Sequence, residues 1–263
     1  MSSTEEAVYR VEGNRAWPSL MAAGPWDPSL QHGAAPCALI GWVAENTTTG
    51  SPMQVARMTI DLLRPVPIAP LDIRTEVLRQ GRKIQLSCIR LLADDIEVVR
   101  ASVLKVRIGQ VELPETATEQ PTELPPPEAG RDPRVSRIQA KGFLTGVSVR
   151  QVAGEPFGRG PAAAWFRADR PIIGHLPMSP LMRAAIASDF CNGVSAVLDP
   201  EHWTYINADT TLSLARMPVG EWILLDARTW PGNTGVGIAF ARLADRCGYF
   251  GRATQTVLLE RRS

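Results

Sequence analysis

Hydrophobic and polar residues alternate along four stretches in the first half of the chain: Val55–Leu63, Leu71–Leu78, Ile84–Leu92 and Val98–Ile108. A period of two is that of a strand with one face buried. Turn formers lie between the stretches, at Pro65-Val66-Pro67, Gln80-Gly81 and Asp94-Asp95. The pattern predicts an antiparallel meander. The second half repeats it with Trp203–Ala215, Trp222–Trp230, Val236–Leu243 and Gly251–Glu260. Here the turns are Pro218-Val219-Gly220, Pro231-Gly232-Asn233 and Cys247-Gly248. One helix is predicted before each meander. The clearer one opens at Ser179-Pro180, where serine can cap and proline suits the first turn. It runs through Leu181 to Asp189 and stops near Asn192-Gly193. The other starts near Pro36 and reads to Asn46. Both are apolar nearly all round and rich in small residues, which predicts buried helices.

The two halves are related by more than pattern. Arg64 and Arg216 are 152 positions apart, as are Arg90 and Arg242, and Arg100 and Arg252. Three matches at one offset read as an internal repeat. Between the halves, from about Val111 to Pro133, prolines alternate with Glu112, Glu115, Glu119, Glu123 and Glu128. Proline removes ladder donors and glutamate resists burial, so this segment reads as a linker. The expected division is an N-terminal unit over 1–110, a linker over 111–134 and a C-terminal unit over 135–263. An antiparallel sheet wrapped around a central apolar helix is the hotdog arrangement. Two tandem copies give an α+β double hotdog.

Composition narrows the function. Over 263 residues the net charge is +1, so electrostatics provide no case for nucleic acid or an anionic membrane as partner. No apolar stretch reaches the ~18 residues of a membrane-spanning helix. The polar, acidic start Met1-Ser2-Ser3-Thr4-Glu5-Glu6 does not resemble a signal peptide, which leads us to expect a cytoplasmic protein. Cys37, Cys88, Cys191 and Cys247 are far apart and read as free thiols, with no metal site expected. The sequence has no GxSxG, HExxH, Walker A or GxGxxG signature, and no cofactor is expected.

Asp189 is the most informative residue. It shares a helical stripe with Met182, Ala185 and Ile186, and it lies near the helix C-terminus, where the dipole disfavours negative charge. A carboxylate on a buried face costs several kcal/mol unless it is paired or used. Glu45 echoes it, nine positions after Pro36 as Asp189 is nine after Pro180. Gln255 lies 152 positions after Val103, so a polar residue in one repeat replaces an apolar one in the other. Asn207 and Asp209 enter the strand after the second helix. His32 and Gly33 precede the first helix, whose free N–H groups at Gly33 and Ala34 suit a carbonyl oxygen.

These residues carry a resemblance. Gln31-His32-Gly33-Ala34-Ala35, Leu62-Leu63-Arg64-Pro65, Ala187-Ser188-Asp189-Phe190, Asn207-Ala208-Asp209, Gly220-Glu221-Trp222 and Arg252-Ala253-Thr254-Gln255 resemble the double-hotdog acyl-CoA thioesterases of the thioesterase II type. In that type an aspartate, a threonine and a glutamine hold the hydrolytic water. The resemblance places the aspartate on Asp189 and the glutamine on Gln255. The threonine position falls on Asn207, a departure from the pattern. It further implies an acyl-CoA or acyl-carrier thioester as substrate, and a site using Asp189, Asn207 and Gln255 with the Gly33 and Ala34 amides beside His32. One active site per chain is expected, because the twin position has Val103 where the site has Gln255. Two other functions suit the same fold: a non-hydrolytic acyl-thioester-binding protein, and a dehydratase, hydratase or isomerase. The Asp-x-Asn-Pro-x-x-His stretch of hydratases is absent. Exposed sheet edges favour self-association, which predicts a homodimer.

Overall fold

The computed structural model describes residues 6–114, 117, 121–133 and 141–262. Glu115 and Glu119 of the Pro/Glu-rich segment, with the first five residues, lie outside them. The first unit holds β1 (Tyr9–Glu12), β2 (Arg15–Pro18), α1 (Ala34–Asn46), β3 (Met53–Leu62), β4 (Leu71–Gln80), β5 (Ile84–Ala93) and β6 (Ile96–Arg107). The second holds β7 (Val147–Ala153), β8 (Ala162–Ala168), α2 (Pro180–Ser188), α3 (Cys191–Val194), β9 (Trp203–Asn207), β10 (Asp209–Leu214), β11 (Ile223–Pro231), β12 (Val236–Asp245) and β13 (Gly248–Arg261). All pairings between these strands are antiparallel. They form one sheet in the order β1-β2-β4-β5-β6-β3-β10-β13-β12-β11-β8-β7, with β9 added on β13. The architecture is the α+β double hotdog.

The repeat extends to register. Except beyond the Val77/Arg79 bulge of β4 and around the break between β9 and β10, adding 152 to both members of a pair in the first meander returns a pair of the second. Thr59–Ser102 becomes Thr211–Thr254, Ser87–Val103 becomes Ala239–Gln255, and Arg74–Arg90 becomes Asp226–Arg242. One bulge recurs as well, between Leu91 and Leu92 on β5 and between Leu243 and Ala244 on β12. The units meet where β3 pairs with β10, with Thr59 opposite Thr211. A local two-fold passes between these equivalent residues, whose hydroxyls are 3.3 Å apart.

The helices lie antiparallel inside this sheet. They meet closely: a Cβ built on Gly41 would be in ordinary van der Waals contact with Leu181, Met182 and Ala185 at 3.7–3.8 Å. Residues 34–41 of α1 are all buried, and Leu39 and Ile40 contribute roughly 1.5–3 kcal/mol each relative to exposure. Both helices share a single core with the inner faces of the two meanders.

Several elements differ from the sequence reading. The stretch Trp203–Ala215 is two strands rather than one. The Asp209 carboxylate accepts the Thr256 N–H at 2.7 Å, replacing a ladder carbonyl, and the chain breaks there. Helix α1 begins at Ala34, two residues before Pro36. Strand β8 carries no alternation to read, and β7 alternates only over Val147 to Arg150, too short a run to stand out. Residues 162–166 of β8 are all buried, and a strand covered on both faces loses its period of two. The end of the Pro/Glu-rich segment is docked. Pro125 O accepts from Trp165 Nε1 at 2.8 Å, Glu128 pairs with Arg246, and Arg131 bridges to Gln151 of β7. The other sheet edge is also covered, since Tyr9 N donates to Ile172 O at 2.8 Å and Gly174 N to Tyr9 O at 2.8 Å.

Candidate active site

Ser179 caps α2, its hydroxyl accepting from Met182 N at 3.1 Å, and the helix runs nine residues from Pro180. This delivers Asp189 to the C-cap, on the buried side, at 6% exposure. The N-terminus of α1 faces it. A Cβ on Gly33 would lie 2.7 Å from Asp189 Oδ1 and 2.9 Å from Oδ2, so only glycine lets the helix end come this close. The carboxylate thus stands between the unfavourable end of its own helix and the favourable end of α1. Asn207 Nδ2 donates to Oδ1 at 2.9 Å, and His32 Nδ1 is 3.3 Å from Oδ2.

Gln255 is fully engaged behind the carboxylate. Its Nε2 donates to the Asp189 carbonyl at 3.1 Å and to Thr210 Oγ1 at 3.1 Å, while its Oε1 accepts from Asn192 N at 3.0 Å. One amide hydrogen and the carbonyl oxygen hold the Asp189–Asn192 turn, and the other hydrogen is spent on Thr210 of β10. Gln255 fixes the backbone of Asp189 and does not touch its carboxylate group. The imidazole of His32 lies between two rings, with centroids 5.4 Å from Phe143 and 5.1 Å from Phe190. Phe190 in turn stacks on Phe166 at 4.7 Å. The thiols of Cys37 and Cys191 are raised by burial first and by Asp189 second. They stay protonated at neutral pH and do not serve as nucleophiles.

Asp189, Asn207, His32 and Gly33 therefore converge as the sequence suggests. Ala34 differs: its N–H is not free but donates to His32 Nδ1 at 3.1 Å. The Gly33 N–H has no partner among the described residues. Asp209 stands apart from the site, on Thr256 N. Thr210 and Asn192 belong to the site and escaped the sequence reading. Thr210 carried a signal: it lies 152 positions after Met58, so a buried hydroxyl replaces a buried thioether, as Gln255 replaces Val103.

The twin position is built differently. Glu45 is hydrogen-bonded to the Ser179 hydroxyl at the start of α2, mirroring Asp189 at the start of α1. Desolvation raises its pKa, against the pull of Ser179 and Lys105. Where the site has Val257, Gly237 and Ala239, the twin has Lys105, Gln85 and Ser87. Lys105 Nζ donates to Thr47 O at 2.6 Å and Gln85 Nε2 to Thr48 O at 2.7 Å. These two long side chains fill the space beside the α1 C-terminus. At the site itself that space holds only a small, water-sized apolar cleft walled by Tyr205, Thr229, Val257 and Leu259, and Val257 is paired across from Asn207. Among the described residues no cluster of His, Cys, Asp and Glu is placed to hold a metal ion. Among the described residues no helix is long and apolar enough to cross a membrane.

Comparison with known proteins bears on the family and the fold. Residues 22–106 match the acyl-CoA thioesterase N-terminal domain and residues 114–259 the acyl-CoA thioesterase C-terminal domain. No curated protein sequence matches the chain. Among solved structures, a hot dog fold protein of unknown function from Alicyclobacillus acidocaldarius is similar at a TM-score of 0.74 and 17% identity, covering 97% of this chain and 96% of that one. The tesB protein of Mycobacterium avium subspecies paratuberculosis is similar at 0.68 and 16% identity, with 96% and 95% covered. The acyl-CoA thioesterase II TesB2 of Mycobacterium marinum is similar at 0.67 and 16% identity, with 93% and 98% covered. At these identities the structures speak for the fold, and the two matched domains, covering most of the chain, speak for the family. The chain belongs to the acyl-CoA thioesterase family and is a double-hotdog thioester hydrolase.

Proposed function

We propose that the enzyme hydrolyses acyl-CoA with Asp189 as general base on water, at one site per chain. The observation that carries this reading is the buried Asp189 carboxylate, held by Asn207 and faced by the N-terminus of α1. A water on this carboxylate attacks the thioester carbonyl, and the Gly33 N–H supports the oxygen as it gains charge. A thiol leaving group has a pKa of ~8.5, so its departure needs no strong acid. Asn207 holds the carboxylate at the position where the family pattern has threonine. Gln255, Thr210 and Asn192 hold the turn that carries it. The acyl chain is placed on the Val257 side of the carboxylate, where the twin carries Lys105 instead. At the twin, Lys105 and Gln85 occupy the equivalent space, and Glu45 does no chemistry.

The same reading places the enzyme in fatty acid metabolism, in the cytoplasm and as a homodimer. The covered sheet edges are not the dimer contact. The outer face is better suited: Ile206, Leu258 and Val236 form one exposed cross-strand row, with Ile238 and Trp230 beside it. The test of the reaction is thiol release from short, long and aromatic acyl-CoAs, with Asp189→Ala alongside and a blank for the four cysteines. Release by the wild type and none by a folded Asp189→Ala is the expected result. Unchanged turnover in that variant removes Asp189 from the mechanism.

A further inference from the structure

His32 Nδ1 is within reach of two groups that it cannot serve together. The Ala34 N–H points at it from 3.1 Å, and Asp189 Oδ2 is 3.3 Å away. An sp2 ring nitrogen has one in-plane position, which holds either a lone pair or a proton. With a lone pair, Nδ1 accepts from Ala34 and offers Asp189 nothing. With a proton, it donates to Asp189 and releases Ala34. The packing of the ring between Phe143 and Phe190 holds it in place, so the choice is made by the proton rather than by ring rotation. The titratable groups around this pair are Asp189 at the end of α2, Cys37 on α1 and Cys191 on α3, and both thiols are neutral.

We propose that His32 is a positioning residue that acts through Asp189: it receives the water proton from Asp189 and, in doing so, frees the Ala34 N–H for the oxyanion. The proposal rests on the hydrolytic reading above. As the water oxygen bonds to the thioester carbon, its proton passes to Asp189 and on to His32 Nδ1. The carbonyl π pair moves onto oxygen. Protonated Nδ1 now donates to Asp189, so the Ala34 N–H turns from His32 to the new oxyanion beside the Gly33 N–H. When the C–S bond breaks, the pair leaves on sulfur, and the proton returns from His32 through Asp189 to the thiolate. The second oxyanion donor is thus withheld from the ground state and supplied as charge develops, which is where a donor accelerates a reaction.

The test uses the full-length enzyme in two measurements. In the first, imidazole 15N and backbone amide spectra are followed through the His32 titration. The Ala34 amide proton is expected to move upfield in step with protonation of Nδ1, as its hydrogen bond is lost. An Ala34 amide that stays still through the titration overturns the proposal. The second is turnover of His32→Asn, whose Oδ1 replaces Nδ1 as acceptor for Ala34 but takes no proton. We expect kcat to fall on the order of 10²-fold, as for loss of a proton-transfer group, with KM changed little. The acidic limb of the kcat pH profile should also move. If His32 only caps the helix, His32→Asn keeps wild-type kcat and profile, and the relay is refuted while Asp189→Ala still tests the hydrolysis. If the amide follows the titration but the wild type releases no thiol from any acyl-CoA, the hydrolytic reading fails and the proton-driven exchange at Ala34 stands.

Discussion

Replacing Gly33 by alanine puts one methyl group against the Asp189 carboxylate. The new Cβ would lie 2.7 Å from Oδ1, 2.9 Å from Oδ2 and 3.1 Å from Cγ, where ordinary contact begins at 3.4 Å. The carboxylate must therefore retreat by up to about 0.7 Å, the gap between those separations. The backbone gives no reason for glycine here, since φ −55° and ψ −31° are right-handed helical values that alanine adopts freely. The unfolded-chain part of the change is favourable by about 0.4–1 kcal/mol, and the clash with Asp189 works against it. The cost falls on geometry. A retreat of this size strains the 2.9 Å hydrogen bond from Asn207 and takes the base off line with its water. Displacements approaching 1 Å cost up to ~10²-fold in rate. We expect kcat to drop about 10–100-fold, about 1.4–2.7 kcal/mol of barrier, with KM little changed. Thiol release and thermal melting, measured on one preparation of Gly33→Ala, check both halves. A variant that melts at or above the wild type and keeps kcat within about twofold refutes the placement of Asp189 as base.

Glu45→Gln is expected to leave turnover intact, because the twin does no chemistry, and to be neutral or mildly stabilising at pH 7. The folded pKa of Glu45 is raised, so its contribution is greatest below the unfolded carboxyl value and is lost as pH rises; denaturation of the variant at pH 4 and pH 7 shows whether that slope disappears. Thr210→Val leaves one Gln255 amide hydrogen buried without an acceptor, which costs about 1–3 kcal/mol in a melt and loosens the Asp189 turn enough to lower kcat. The Asp245 side chain, fully buried, takes both guanidinium arms of Arg216 and two backbone N–H groups; burial pushes its pKa up, but these donors hold it below the ordinary value. Its stabilisation is present above pH ~4 and fades as pH falls through the depressed folded value. Arg216→Met should destabilise by about 2–4 kcal/mol, below the upper end for a broken buried pair because Arg216 is part-exposed, and chemical denaturation between pH 3 and 7 reads both effects.

What was legible in the chain was whatever obeyed a period or a repeat. The two meanders alternate cleanly, because each has one face on the core, and the offset of 152 fixes their equivalence to the residue. The elements that escaped lack that contrast. β8 is buried on both faces, so Ala162 to Phe166 reads as an apolar run with nothing strand-like about it. Asp189 announced itself by breaking two local rules. The relief of one of them, the N-terminus of α1, comes from a residue 156 positions earlier, which no local window contains. The Ala34 amide was legible as an orphan donor but not as one already taken by the side chain of His32. That depends on a rotamer set by Phe143 and Phe190, and sequence carries no record of it. Thr210 could have been found by extending to it the comparison that singled out Gln255.

The pair of threonines facing each other across β3 and β10 marks a second consequence of the fold. When two identical subunits meet at a two-fold, every substitution is made twice, and a residue suited to one copy of a site is imposed on the other. Here the symmetry axis runs through a single polypeptide, and each half mutates alone. Residues related by it have parted accordingly: glutamine against valine, threonine against methionine, and on the opposite side lysine against valine and glutamine against glycine. One half has kept a small apolar cleft and a buried carboxylate. The other has closed the same space with long side chains that tie down the end of a helix. Joining the copies removes that constraint: on the proposed single-site reading, one half is free to hold the frame while the other carries the chemistry.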